Sequence, residues 1–264
     1  MENYYEKVGQ YYDKDVERGF ENRADTNTSL QRIRDDFRTY VAKQSFSTAL
    51  EIGCGPGLDA EWFGSQFPDK KLCAIDVSAE MVKSATKRTM SLNNVGVKQA
   101  TEHDLVDLEN RPFDLCYVFF GALNTVDSLP VAAEKIYDSM TPGGIAVLTF
   151  VNKWYLRELL VNLLKLRIRV AFSRIRKVWG GYSPTRFLAS KCYTPSTIRK
   201  SFRSFNELDH QGYSILFPAW YNQHKFKGQE DKANRLWELD KKLNKTPFWK
   251  YGEYTLFVFQ KPLS

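Results

Sequence analysis

The stretch Ala49-Leu50-Glu51-Ile52-Gly53-Cys54-Gly55-Pro56-Gly57 decides the fold. Its first half continues Ser47-Thr48 as a short apolar run of strand character. Its second half places glycine at every other position, and Ala60 to Phe67 then reads as a helix stopped by Pro68. A strand, a glycine turn and a helix open a βαβ unit. Glycines lack a Cβ, so the backbone there can approach a ligand closely. The spacing is G-x-G-x-G. The dinucleotide spacing G-x-G-x-x-G would need glycine where Leu58 stands.

Outward from this loop the alternation continues. Lys71 to Asp76 is a second strand, and Ser78 caps a helix through Met81, Val82 and Ala85. Val95 to Ala100, Phe113 to Phe120 and Ile145 to Val151 are further strands. A helix around Pro130 to Met140 and a Pro142-Gly143-Gly144 turn precede the last of these. Tyr254 to Phe259 is a final strand. The fold class expected is α/β, a Rossmann-like doubly wound and mostly parallel sheet. Residues 3–44 read as N-terminal helices, with Asp25 to Ser29 offering caps. Residues 1–151 plus about 251–264 form one domain in this reading. About 152–250 is a basic, aromatic-rich cap inserted before the last strand.

The acids narrow the ligand. Glu51 lies two residues before the first glycine, where it repels a pyrophosphate and attracts an ammonium group, directly or through water. Asp76 ends the second strand, 19 residues after Gly57, where a carboxylate can accept both ribose hydroxyls. Val77 and Met81 flank the adenine in this arrangement. Asp104, after His103 and before Leu105, accepts from its amino group. S-adenosylmethionine matches this set: it carries an ammonium, a sulfonium and no phosphate.

These residues resemble the class I S-adenosylmethionine-dependent methyltransferases over residues 47–151. Ala49 to Gly57 is similar to the first motif of that family, and Ile75-Asp76-Val77-Ser78-Ala79-Glu80-Met81 to its second. Phe113-Asp114-Leu115, with Phe120-Gly121-Ala122-Leu123-Asn124, resembles the fourth-strand region of a small-molecule branch. The resemblance implies a methyltransferase with S-adenosylmethionine as cofactor and S-adenosylhomocysteine as product. The cofactor residues expected are Tyr11, Glu51, Gly53, Cys54, Gly55, Gly57, Asp76, Val77, Met81, His103, Asp104, Leu105 and Phe119. Val8 to Asp13 is similar to a segment that closes over the cofactor, which puts Tyr11 at the methionine carboxylate or the reaction chamber. A packed amphipathic helix is the alternative.

Methyl transfer needs alignment and exclusion of water, and a base only when the acceptor must lose a proton. The chain has three histidines. His224, in the aromatic stretch Pro218 to His224, is the candidate general base, with a surface histidine as the alternative. Asn124 is a candidate to orient the acceptor, with a helix cap as the alternative. Several specialised branches are argued down. The Pro-Pro motif of amino-methylating DNA enzymes is missing after the fourth strand, and no cysteine follows a proline. No C-x-x-C pair suggests a zinc site. Asp127 and Asn152 are too few for a catechol-type metal site, and no metal is expected.

Charge is split along the chain. The net charge is +7, yet Lys153 to Arg203 alone holds 13 basic residues and one acid, Glu158. Such a field attracts anions. Tyr155 to Trp179 reads as an amphipathic helix with a cationic face that includes Arg167, Arg169, Arg174 and Arg176. Its partner in this reading is an anionic membrane surface, an acidic carrier, or solvent alone; nucleic acid ranks lower. The expected acceptor is a small or lipid-like molecule with an anionic group. The alternatives are an RNA or protein methyltransferase, a lipid methylene transferase, or a non-catalytic partner that binds the cofactor. A polar, acidic N-terminus and four unpaired cysteines suggest the cytoplasm, with peripheral membrane contact through residues 153–203 an option; nothing indicates the oligomeric state.

Overall fold

The structure, a computed structural model, describes residues 4–19, 26–183 and 186–263. Among the described residues, helices α1 (Tyr4–Glu17) and α2 (Thr28–Ala42) lead in; Asp25, also expected as a cap, lies outside the described residues. Asn27 caps α2 by accepting from the Leu30 amide at 3.0 Å. The alternation then follows: β1 (Thr48–Ile52), α3 (Leu58–Gln66), β2 (Lys71–Asp76), α4 (Ala79–Thr89), β3 (Val95–Gln99), β4 (Phe113–Val118), α5 (Leu129–Ser139) and β5 (Met140–Val151). Ser78 caps α4, accepting from the Met81 amide at 3.1 Å. The chain finishes with α6 (Leu156–Leu164), α7 (Ile168–Ala171), α8 (Pro195–Ser201), β6 (Asn206–Tyr213), α9 (Glu230–Leu243) and β7 (Tyr254–Gln260).

Seven strands make one sheet in the order β3-β2-β1-β4-β5-β7-β6. β7 is antiparallel to both neighbours, and the other pairings are parallel. The order reverses at β1, so β1 and β4 diverge at their carboxyl ends, where open α/β sheets bind ligands. One apolar layer packs Leu50, Ile75, Cys116 and Phe150 against α5 and α8. The other packs Ala49, Leu115 and Val147 with Phe37, Phe63 and Trp237 from α2, α3 and α9.

Two segments differ from the sequence reading. β6, expected inside the cap, is the outer strand of the sheet, with only Gly212 and Tyr213 buried. Its polar run Asn206-Glu207-Leu208-Asp209-His210 lacks the apolar alternation that marks a covered strand. The continuous amphipathic helix expected over Tyr155 to Trp179 is broken after Leu164. Leu166 takes a positive φ of 56°, and Arg174 turns inward with 3 % of its surface exposed. The Pro142-Gly143-Gly144 turn is a bulge within β5, between the pairings of Met140 with Phe113 and Ile145 with Leu115.

Candidate active site

The glycine loop forms because the chain must leave β1 and enter α3 within a few residues. Gly53, Gly55 and Gly57 have φ values of 75°, 53° and 82°, a region that side-chain-bearing residues avoid. A Cβ on Gly53 would lie 2.3 Å from the Ala122 Cβ, and one on Gly57 would lie 2.9 Å from Ala85. The loop is tied to β2: the Gly53 and Cys54 amides donate to the Ile75 carbonyl at 2.8 and 3.0 Å. The Gly55 amide donates to Asp76 Oδ2 at 2.8 Å, and the Ser78 amide donates to Oδ1 at 2.9 Å. Burial raises the Asp76 carboxyl against the pull of these amides. A carboxylate can accept more bonds than these, and Asp76 lines the cavity.

That cavity, of about 380 Å³, lies over the carboxyl ends of β1, β2 and β4. Of the residues expected from sequence, Tyr11, Gly53, Gly55, Asp76, Val77, Met81, Phe119 and Asn124 line it. Glu51, Cys54, Gly57, His103, Asp104, Leu105 and His224 are not part of its lining. Glu51 is buried beneath the loop and accepts from the Tyr117 hydroxyl at 3.1 Å. Burial, then the Asp59 charge, holds its carboxyl well above the ordinary range. Asp104 is committed to a local capping box, accepting from the Thr101 amide at 2.7 Å and its hydroxyl at 2.9 Å. Thr101 and Glu102 face the cavity in its place. His224 is exposed on the turn after Ala219. The Asn124 amide is engaged with backbone, donating to Val151 O and Lys191 O at 3.1 and 2.6 Å and accepting from Val151 N at 2.8 Å.

The far wall was not foreseen residue by residue. Trp179, Tyr182 and Trp220 of the cap and Tyr254 of β7 form an aromatic surface. Tyr182 packs edge-on against Trp179 and Trp220, with centroids 4.5 and 5.2 Å apart. Behind it lies a buried ionic knot. The Tyr182 hydroxyl donates to Glu253 Oε1 at 2.8 Å, and Tyr221 donates to Glu158 at 2.8 Å. Arg174 lies between the two acids, at 2.8 Å from Glu158 and 3.5 Å from Glu253. Burial raises Glu253 to about 7 even beside that arginine.

Two arginines also reach the cavity. Arg34 of α2 lies over the Phe120 ring at 5.0 Å and pairs with Asp59 at 3.3 Å. Arg186 lies over Tyr11 at 4.5 Å and pairs with Asp15 at 2.6 Å. Its Nη1 is buried and makes no hydrogen bond among the described residues. The Asp15–Arg186 pair ties α1 to the cap. Asp13 ties α1 to the cofactor half, accepting from the Ser78 hydroxyl at 2.6 Å. The sequence signal for Arg34 was slight, since a cation on a helix face ordinarily meets solvent. At the other end, Glu102, His103 and Asp127 bring ligand-type atoms within 4.8 Å of one another, and Tyr5 donates to Glu102. His103 joins this group rather than the cavity wall.

Comparison with known proteins bears on the domain and the fold. A sequence family described as a methyltransferase domain matches residues 49–144. An uncharacterised protein of Methanocaldococcus jannaschii is 25% identical over 82% of this chain and 77% of its own length. The malonyl-[acyl-carrier protein] O-methyltransferase of Enterobacter lignolyticus is 26% identical over 50% of this chain. The chain spans half the length of that relative, 50%. Among solved structures, the N-methyltransferase NodS of Bradyrhizobium japonicum, in complex with S-adenosyl-L-homocysteine, aligns with a TM-score of 0.59. It is 17% identical, with 97% of this chain and 98% of that one covered, a likeness of fold. Among the described residues, no helix is long and apolar enough to cross a membrane. Residues 49–144 therefore match a methyltransferase domain, on a fold that the chain shares with the NodS methyltransferase.

Proposed function

We propose that this chain transfers a methyl group to a small acceptor that carries a carboxylate or similar anionic group. One observation carries the reading: Arg186 Nη1 is a buried guanidinium donor without a hydrogen bond among the described residues, in the wall of the cofactor cavity. An unmet buried donor is costly, and a ligand anion satisfies it with a charge-assisted bond. Arg34 reaches the same cavity.

The residues present fit the cofactor. The glycine loop packs so closely on Ala122 that Gly53 admits no Cβ, Asp76 retains acceptor capacity for ribose hydroxyls, and Val77, Met81 and Ala100 offer an apolar slot for adenine. Thr101 and Glu102 take the adenine-edge role first assigned to Asp104. When bound, S-adenosylmethionine supplies a methyl group already activated on a sulfonium. The chain's own part is to align the acceptor and exclude water. Tyr11, Trp179, Tyr182, Trp220 and Tyr254 close the chamber, and α1 braces it through Asp13 and Asp15. An ionised carboxylate is a nucleophile at neutral pH without a base. A chamber lined by no histidine among the described residues suits such an acceptor, and His224 has no role in this scheme.

The carrier-linked malonyl group named for the relative above is one acceptor of this kind. The test is calorimetry with S-adenosylhomocysteine, followed by transfer of labelled methyl groups to a panel of organic acids, free and carrier-linked, with RNA and protein as comparison acceptors. Binding, with methyl-ester formation that weakens in Arg186→Gln, is the expected result. No binding at physiological concentration, or transfer to RNA or protein alone, overturns it.

A further inference from the structure

We propose that the segment Leu164-Lys165-Leu166-Arg167-Ile168-Arg169-Val170 docks this chain on the surface of an anionic lipid bilayer. All seven residues are exposed, and they alternate apolar with cationic. Leu164 and Leu166 show 86% and 84% of their surface to solvent, Ile168 52% and Val170 47%. α6, which leads into the segment, contributes no buried residue. Leu166 holds the tip of the turn at φ 56°, a conformation usually left to glycine or asparagine. Isolated exposed leucines are ordinary on protein surfaces, but a contiguous projecting set is not.

The charges identify the occupant. From Leu159 to Asn206 the sequence holds no aspartate or glutamate. Arg157, Lys165 and Arg167 line a groove of about 280 Å³ along the same turn. Glu158 shares that groove, but its carboxylate is held by Arg174 and Tyr221, each at 2.8 Å. An apolar tip among cations matches a bilayer interface, where leucines enter the headgroup–acyl boundary and lysine and arginine meet anionic headgroups. An acidic protein would use the cations and leave two protruding leucines in water. The surface stands outside the lining of the cofactor cavity, so this inference is independent of the acceptor.

The test is co-sedimentation of the full chain with vesicles of phosphatidylcholine alone and vesicles that also contain phosphatidylserine. The wild type is expected to bind the second kind at low salt. Each cation near an anionic surface contributes roughly fivefold to partitioning. The triple variant Lys165→Glu/Arg167→Glu/Arg169→Glu should therefore lose on the order of a hundredfold or more in binding. Leu164→Ser/Leu166→Ser should lose at least tenfold while its charge is kept. Circular dichroism and S-adenosylhomocysteine affinity, unchanged in both variants, show that the fold is retained. Equal binding to neutral and anionic vesicles, or binding that either variant leaves intact, overturns the proposal. So does binding of an acidic carrier protein through these residues with no binding to vesicles.

Discussion

Replacing Glu253 with glutamine should change how stability depends on pH, in a direction opposite to that of most carboxylates. Glu253 is fully buried; one oxygen accepts from Tyr182 and the other has no partner among the described residues. Burial raises its carboxyl from the ordinary 4.5 to about 7, because Arg174 is shared with Glu158 and does not offset the loss of water. A raised value in the folded state means that the native protein binds the proton more tightly than the unfolded chain. The stabilisation is therefore complete below pH 4.5 and is lost as pH rises through 7. With 1.36 kcal/mol per unit, the whole change is about 3 kcal/mol, of which about 2.5 kcal/mol falls between pH 5 and pH 8. Glu253→Gln keeps an acceptor for Tyr182 and removes the titration. Relative to wild type, the variant should gain about 2–3 kcal/mol between these pH values, or roughly 1 M in urea midpoint. Other raised acids, such as Asp240 at about 6, are common to both proteins and cancel. Urea unfolding at a series of pH values, in parallel for both proteins, measures this. Parallel curves would show that Arg174 keeps Glu253 ionised and that the burial argument is wrong.

Further consequences concern the cavity. Gly53→Ala places a methyl group 2.3 Å from Ala122 at a positive φ, so S-adenosylhomocysteine affinity should fall at least tenfold by calorimetry, with the fold retained. Asp76→Asn removes a charged acceptor worth about 1.5–3 kcal/mol, which predicts a tenfold to hundredfold loss in the same assay. Arg34→Gln should raise KM for an anionic acceptor about tenfold while cofactor affinity stays within about twofold, since it removes one charge-assisted contact. Steady-state kinetics against both substrates separates the two effects.

How much of this was legible in the sequence depends on the range of the interactions involved. The loop from Gly53 to Gly57, the acid at Asp76 and the cap at Ser78 are local features, and their residue types follow from backbone geometry within a few positions. β1, β2, β4 and β5 were readable because each contains an apolar run bounded by turns. β6 was not, because an outer strand with one exposed face needs no such run. Asp104 and Thr101 show the same limit more finely. Both can accept a hydrogen bond, and only the capping box decides which of them faces inward.

The basic cap is where residue counting fails in principle. Its cations have different destinations that composition cannot distinguish. Arg174 is buried because Glu253, 79 residues away, is buried beside it. Arg186 enters the cavity because Asp15, 171 residues away, draws it there. Lys165, Arg167 and Arg169 remain exposed, where an external anion can reach them. This division also sharpens the tests. A charge-reversal set that includes Arg174 would break a buried ion pair and cost about 3–5 kcal/mol of stability, and its lost activity would say nothing about membranes. Only cations that the fold leaves unclaimed can report on an external partner, and Lys165, Arg167 and Arg169 lie on the turn that also exposes Leu164 and Leu166.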